Sequence, residues 1–234
     1  MIRNYNDFVS ALLEAGFSMG GGGNSDGIYS IVPCGWNEEP PRGSPIRWHT
    51  GDAETDPWEW RMRVLDERGD IAYAKVFFRK SGFITKEWYP YFLAARRGGR
   101  SFEGACAEGT ISHFAKRIYN AVAAHEPLPL QAIKSLAGFA REDKPKFDKA
   151  LTDLQMGMFL TVCGRQQQLS QQGEEYGWAS TVFCTTERFF GKDVFKEAAT
   201  IGAKEARSAI SEQVLKLSPS APPPEKKIFK FIHG

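Results

Sequence analysis

Apolar positions along this chain change period from one segment to the next. Phe8, Ala11, Leu12 and Ala15 repeat at i, i+3, i+4 and i+7, which predicts an amphipathic helix over residues 5–15, closed by Gly16. GGGGNSDG (20–27) reads as a flexible turn, and no lysine and hydroxyl pair follows it, so it is not a phosphate loop. Residues 28–32 read as a strand. Pro33, Pro40, Pro41, Pro45 and Pro57 then keep 33–57 irregular, before WEWRMRVL predicts a helix ending by Gly69. IAYAKVFF (71–78), rich in β-branched and aromatic residues, is the strongest strand pattern of this half. Residues 88–95 read as a second strand or as a helix interrupted at Pro90.

From residue 110 the pattern sharpens. Ile111, Phe114, Ala115, Ile118 and Val122 form one helical face, followed by the extended link PLPL (127–130) and a short helix over 131–137 that ends at Gly138. Asp143 offers a cap and Pro145 a first turn. Phe147, Ala150, Leu151 and Leu154 then repeat at helical spacing. MFLTVC (158–163) and WASTVFC (178–184) read as strands joined by the polar GRQQQLSQQGEEYG. Three helices followed by two strands and a polar loop describe a winged helix, with the helix that carries Phe147, Ala150, Leu151 and Leu154 as recognition helix and the loop as wing. A helix over 193–217 broken at Gly202, a proline-rich SPSAPPPEKK and an IFKFI hook complete the chain. The expected fold is α+β: a winged-helix module in the C-terminal half packed with a mixed, Trp-rich N-terminal α/β half. The expected divisions are 1–105, 106–190 and 191–234.

Composition narrows this picture. The chain has 234 residues, enough for one large or two small cores, and none of its apolar runs reaches the ~18 residues of a membrane span. Its start is a poor signal peptide, which points to a cytoplasmic protein with no membrane partner. Cys34, Cys106, Cys163 and Cys184 lack CxxC spacing and are expected as reduced thiols, with Cys163 and Cys184 facing each other on neighbouring strands. His49, His113, His125 and His233 are equally scattered, so neither a metal nor a cofactor is expected. Charge is uneven: residues 24–60 carry two basic against seven acidic side chains, whereas 61–100 carry ten basic against four acidic. The second segment suits phosphates, and it equally fits the commoner case of paired charges on a solvated face.

Two groups of residues carry candidate chemistry. Lys146, Lys149 and Arg165 are placed to meet DNA phosphates, Thr152 and Gln155 to meet base edges, and Gln166 and Gln168 to act near bases from the wing. In RWHTGDAETDPWEWR (47–61), Trp48, Trp58 and Trp60 offer stacking surfaces for an extruded base, and Asp56 and Glu59 are the candidate acid and base. Asp56 before Pro57 also fits a helix N-cap, and the tryptophans also fit anchors of an irregular loop.

HTGDAETDPWEWR, IAYAKVFF, EWYPYFLAARR and TDLQMGMFLTVCGRQQ together resemble the small bacterial proteins related to the AlkZ/YcaQ DNA glycosylases, over residues of about 5 to 215. The resemblance implies a winged-helix scaffold, DNA binding and metal-independent base excision. The larger enzymes carry a catalytic Gln-x-Gln or Gln-x-Asp just after an early helix, where this chain has GFSMGGGGNSDG. Gln166 and Gln168 form a Gln-x-Gln in the wing of a different module, so that role is not transferred to them. Three functions stay open: a DNA-binding base-excision factor, a non-catalytic interaction module that includes a homodimer, and a small-molecule sensor built on the Trp-rich half.

Overall fold

The computed structural model describes residues 1–23, 27–169 and 175–233, without the side chains of 168, 169 and 175–178. Most of the expected helices appear close to their sequence positions because each buries one face. Asn4 caps α1 (Tyr5–Ala15), and Gly16 closes it at a φ of 85°. Residues 17–19, unassigned in the sequence, form β1 (Phe17–Met19). Residues 28–32 do not form the expected strand. The Ile31 N–H donates to the Ser18 hydroxyl and the Val32 carbonyl accepts the Gly23 N–H, so no ladder forms.

Next come α2 (Pro57–Glu67), β2 (Ile71–Phe77) and a strand without a clear sequence signal, β3 (Lys80–Thr85). The segment expected as a strand or a broken helix is α3 (Tyr89–Arg97). Pro90 falls in its first turn, where a missing N–H costs nothing, so it starts the helix and does not interrupt it. After α4 (Phe102–Ala107), the chain runs through α5 (His113–His125), β4 (Leu128–Pro129), α6 (Leu130–Leu136), α7 (Lys144–Met156), β5 (Leu160–Leu169) and β6 (Glu175–Thr185). Four helices finish it: α8 (Thr186–Phe190), α9 (Asp193–Thr200), α10 (Ala203–Leu217) and α11 (Glu225–His233). The break at Gly202 is therefore present, and the IFKFI hook is part of a helix.

The strands form one antiparallel sheet in the order β1-β3-β2-β5-β6-β4. Its two parts meet where Tyr73 pairs with Val162, and the Thr161 hydroxyl donates to the Tyr73 carbonyl at 3.3 Å. Alternation along β2 supplies both faces with apolar side chains. Ile71 and Tyr73 enter a core with Phe8, Trp60, Ile118, Phe147 and Leu154, while Ala72, Ala74 and Phe77 enter another with Phe17, Phe92, Ile210 and Phe231. Helices therefore cover both sides of the sheet. On the second face, Phe231 of α11 stacks on Phe77 with ring centroids 4.1 Å apart.

Arg96 ties this face together. Its guanidinium donates to the Met156 carbonyl at the end of α7 and to the Phe231 and Ile232 carbonyls at the end of α11, at 2.9, 3.0 and 2.5 Å. These carbonyls belong to last turns, where the helix itself supplies no donor. Burial draws the guanidinium down to about 10, so it stays charged at neutral pH.

The last turn of α7 is locked to the other half of the sheet. Gln155 accepts the Lys75 N–H at 2.9 Å and donates back to Leu151 O. Gln155→Leu leaves the Lys75 amide without that acceptor and is expected to cost about 1–2 kcal/mol, read as a lower denaturant midpoint with an unchanged slope.

Candidate functional site

The Trp-rich loop is organised by one carboxylate. Asp56 is fully buried, and its two oxygens accept four backbone amides: His49 at 3.1 Å, Thr50 at 2.7 Å, Gly51 at 2.9 Å and Trp58 at 2.8 Å. The last of these caps α2, and the other three shape the turn that precedes it. With both oxygens occupied and no exposed surface, Asp56 has no lone pair directed at solvent. It acts as a positioning residue for the loop.

That turn holds His49 at a φ of 61°, a left-handed conformation that side chains other than those of Gly, Asn, Asp and His rarely adopt. Its imidazole sits among three indoles, with ring centroids 4.8 Å from Trp58, 6.2 Å from Trp48 and 6.4 Å from Trp36. Trp36 is 68% exposed and Trp58 38% exposed, whereas Trp48 is half-buried and donates to Cys34 O at 3.0 Å. The Arg61 guanidinium lies 3.2 Å above the Trp58 ring, and its Nε donates to Trp58 O. These side chains, with Tyr73, Ser81, Gly20 and Gly21, line a cavity of about 380 Å³.

Trp60 is placed differently. It is fully buried in the core and stacks on Phe8 at 5.1 Å, so it has no face for a ligand. Helical phase explains the split: two residues turn the direction by roughly 200°, which sends Trp58 outward when Trp60 points in. Trp36 and His49 were not singled out by sequence reasoning. The only sequence signal for Trp36 is a tryptophan inside a Pro/Gly-rich loop.

A second cavity of about 220 Å³ lies along the sheet between α2 and α7, and it shares Arg61, Tyr73 and Ser81 with the first. Lys75, Asp148, Thr152 and Thr181 also line it. The expectation that Thr152 and Gln155 face outward is corrected here. Both are buried, because β2 packs against this side of α7, and the Thr152 hydroxyl bonds back to Asp148 O at 2.8 Å.

Of the expected backbone contacts, Lys146 and Lys149 stand exposed on α7 and Arg165 and Gln166 on β5. Lys146 bonds Asp143 at 2.9 Å and thereby holds that carboxyl below its ordinary range. Lys149 bonds Asp153 at 2.7 Å, and Arg79 reaches the same carboxylate at 2.7 Å. Burial pushes Asp153 up, but the bonds from Lys149 and Arg79 outweigh it and leave the carboxyl lowered. Arg165 pairs with Glu59 at 3.2 Å, so the structure joins a candidate phosphate contact to a candidate carboxylate. The Gln168 side chain, Gln171 and Gln172 lie outside the described residues.

All four cysteines are free. The Cys163 and Cys184 thiols share a hydrogen bond, which lowers the first thiol, while that hydrogen bond and burial raise the second. Among the described residues, no group of three His, Cys, Asp or Glu side chains is placed to hold a metal ion, and no helix is long and apolar enough to cross a membrane.

Sheet and helices thus define a mixed α+β protein with an aromatic cavity opening into a helix-lined groove. The chain belongs to the AlkZ-related family, whose model, described as AlkZ related, matches residues 2–233. Comparison with curated proteins and with solved structures finds no significant match.

Proposed function

We propose that this protein binds DNA and acts in base repair in the manner of a DNA glycosylase. The match to the AlkZ-related family over residues 2–233 carries this reading. The order α5-β4-α6-α7-β5-β6, with β4 beside β6 and β6 beside β5, supports a winged-helix module over about 106–190, between a Trp-rich region (1–105) and a C-terminal helical region (191–234). Lys146, Lys149 and Arg165 contact the phosphate backbone, and Gln166 and Gln168 lie near the bases. Asp56 fixes the Trp-rich loop. Glu59 is then the carboxylate left for chemistry, with about a quarter of its side chain exposed and Arg165 as its partner.

Fluorescence anisotropy against DNA at two salt concentrations tests the binding. Phosphate contacts give an affinity that falls with salt, and the combined variant Lys146→Ala, Lys149→Ala, Arg165→Ala is expected to flatten that dependence by about two to three contacts' worth. Undetectable binding at low salt sinks the proposal, and an unchanged salt slope sinks the assignment of these three residues. In the opposite direction, Asp153→Asn frees Lys149 and Arg79 and is expected to strengthen binding several-fold, with a steeper salt slope. Glycosylase activity is scored as abasic sites formed in DNA carrying alkylated bases, and Glu59→Gln is expected to abolish it. Release that persists in Glu59→Gln removes that residue from the chemistry.

A further inference from the structure

The C-terminal half of α7 has no free side to offer DNA, which leaves the exposed first turns with Lys146 and Lys149. From Ala150 to Met156 only Asp153 escapes burial, and Asp153 is bonded to Lys149 and Arg79. The half of α7 that would follow a major groove is covered by β2. The surface instead keeps two tryptophans in water at one place. Trp36 and Trp58 both border the cavity that the left-handed His49 also lines.

The chemistry of that cavity is specific. Among the described residues its walls are flat π surfaces, the guanidinium that lines it is that of Arg61, and no carboxylate borders it. Arg61 is already stacked on Trp58, which extends the flat wall and brings a positive charge to its edge. Gly21 also lines the cavity, and a Cβ there would meet nothing within 4 Å. Such a slot accepts a planar heteroaromatic ring carrying an attached phosphate. The second cavity continues from it through Arg61, Tyr73 and Ser81 toward Lys75, so a chain leaving the ring has a path along the sheet.

We propose that this cavity takes the base of an unpaired nucleotide, so that the protein prefers single-stranded or bulged DNA to a fully paired duplex. The inference rests on the DNA-binding reading above, and deepens it by naming the form of DNA. Trp36 and Trp58 supply the stacking faces, Trp48 and Tyr73 the inner wall, and Arg61 the contact to the neighbouring phosphate. Base pairing hides the ring faces and edges that this slot needs, whereas an extruded base presents both.

The test uses the full chain and one oligonucleotide carrying 2-aminopurine, presented single-stranded, as a one-nucleotide bulge and fully paired. Binding to the first two is expected to be about tenfold tighter than to the paired duplex, with a change in 2-aminopurine emission, since a stacked base contributes a factor of about five to more than a hundred. Trp36→Ala is expected to remove most of the preference. Its thermal midpoint should match the parent, because that side chain is largely exposed. Equal affinity for all three DNAs overturns this inference and leaves DNA binding in place. So does a preference that survives Trp36→Ala or comes without an emission change. Failure to bind any of the three overturns both readings together.

Discussion

Replacing Arg96 with methionine is expected to lower the midpoint of thermal unfolding by about 10 °C, the largest effect of any single side chain considered for this fold. The substitution removes three charge-assisted bonds to the Met156, Phe231 and Ile232 carbonyls. Helix-terminal carbonyls of α7 and α11 then lose their donor inside the protein, at a total of about 3–4 kcal/mol. Arg96→Lys should recover only a small part, because one ammonium cannot reproduce a planar fork that reaches two helix ends at once. Differential scanning calorimetry on the parent and both variants checks the order. A lysine variant as stable as the parent would show that charge alone, not the fork, matters here.

The second large effect belongs to Asp56. Asp56→Ala leaves four amides, those of His49, Thr50, Gly51 and Trp58, without their acceptor. Loss of the cap costs about 1 kcal/mol, and the turn amides bring the total to about 3 kcal/mol. Asp56→Asn keeps one oxygen and should lose about half of that. The same variants distinguish a structural carboxylate from a catalytic one. If Asp56 only holds the turn, the alanine variant loses tryptophan-cavity binding and stability together, and the asparagine variant keeps most of both. A stable, fully binding Asp56→Asn that has lost base excision outright would instead return Asp56 to the chemistry.

Much of the fold was legible because most helices bury a single face. Phe147, Ala150, Leu151 and Leu154 announce α7, and Phe8, Leu12 and Ala15 announce α1. Elements buried on both faces or lacking length gave little periodicity. β1 is three residues long, and β3 contains Gly82, whose backbone lies where a Cβ would meet the Phe77 ring at 2.3 Å. In α11, Ile228, Phe231 and Ile232 sit at helical spacing, but the segment is short and follows a proline-rich run. Residues 28–32 have strand-like composition yet find their partner in a serine hydroxyl, which no propensity encodes.

At the site, the loop 47–61 was legible as a place, but its members were not sorted by role. Residue type alone could not tell Trp58 from Trp60, although helix phase can. Asp56 reads from sequence both as a helix cap and as an acid, and the four amides it accepts decide for the cap. His49 and Trp36 come together only through tertiary structure, one from a left-handed turn and the other from a separate loop. Thr152 and Gln155 looked outward because nothing in α7 reveals that a strand from residues 71–77 lies over them.

The pairing of Tyr73 with Val162 is narrow, and it makes each half of the sheet the missing neighbour of the other. Cut apart, β2 and β5 would each offer unpaired N–H and C=O groups along an apolar strand, a template for joining any similar edge. A chain that emerges from synthesis N-terminus first must therefore keep the β2 edge from self-association until β5 arrives, some eighty residues later. Hydrogen exchange at Val162 and Tyr73 should thus report global unfolding alone, with no slower-opening island on either side.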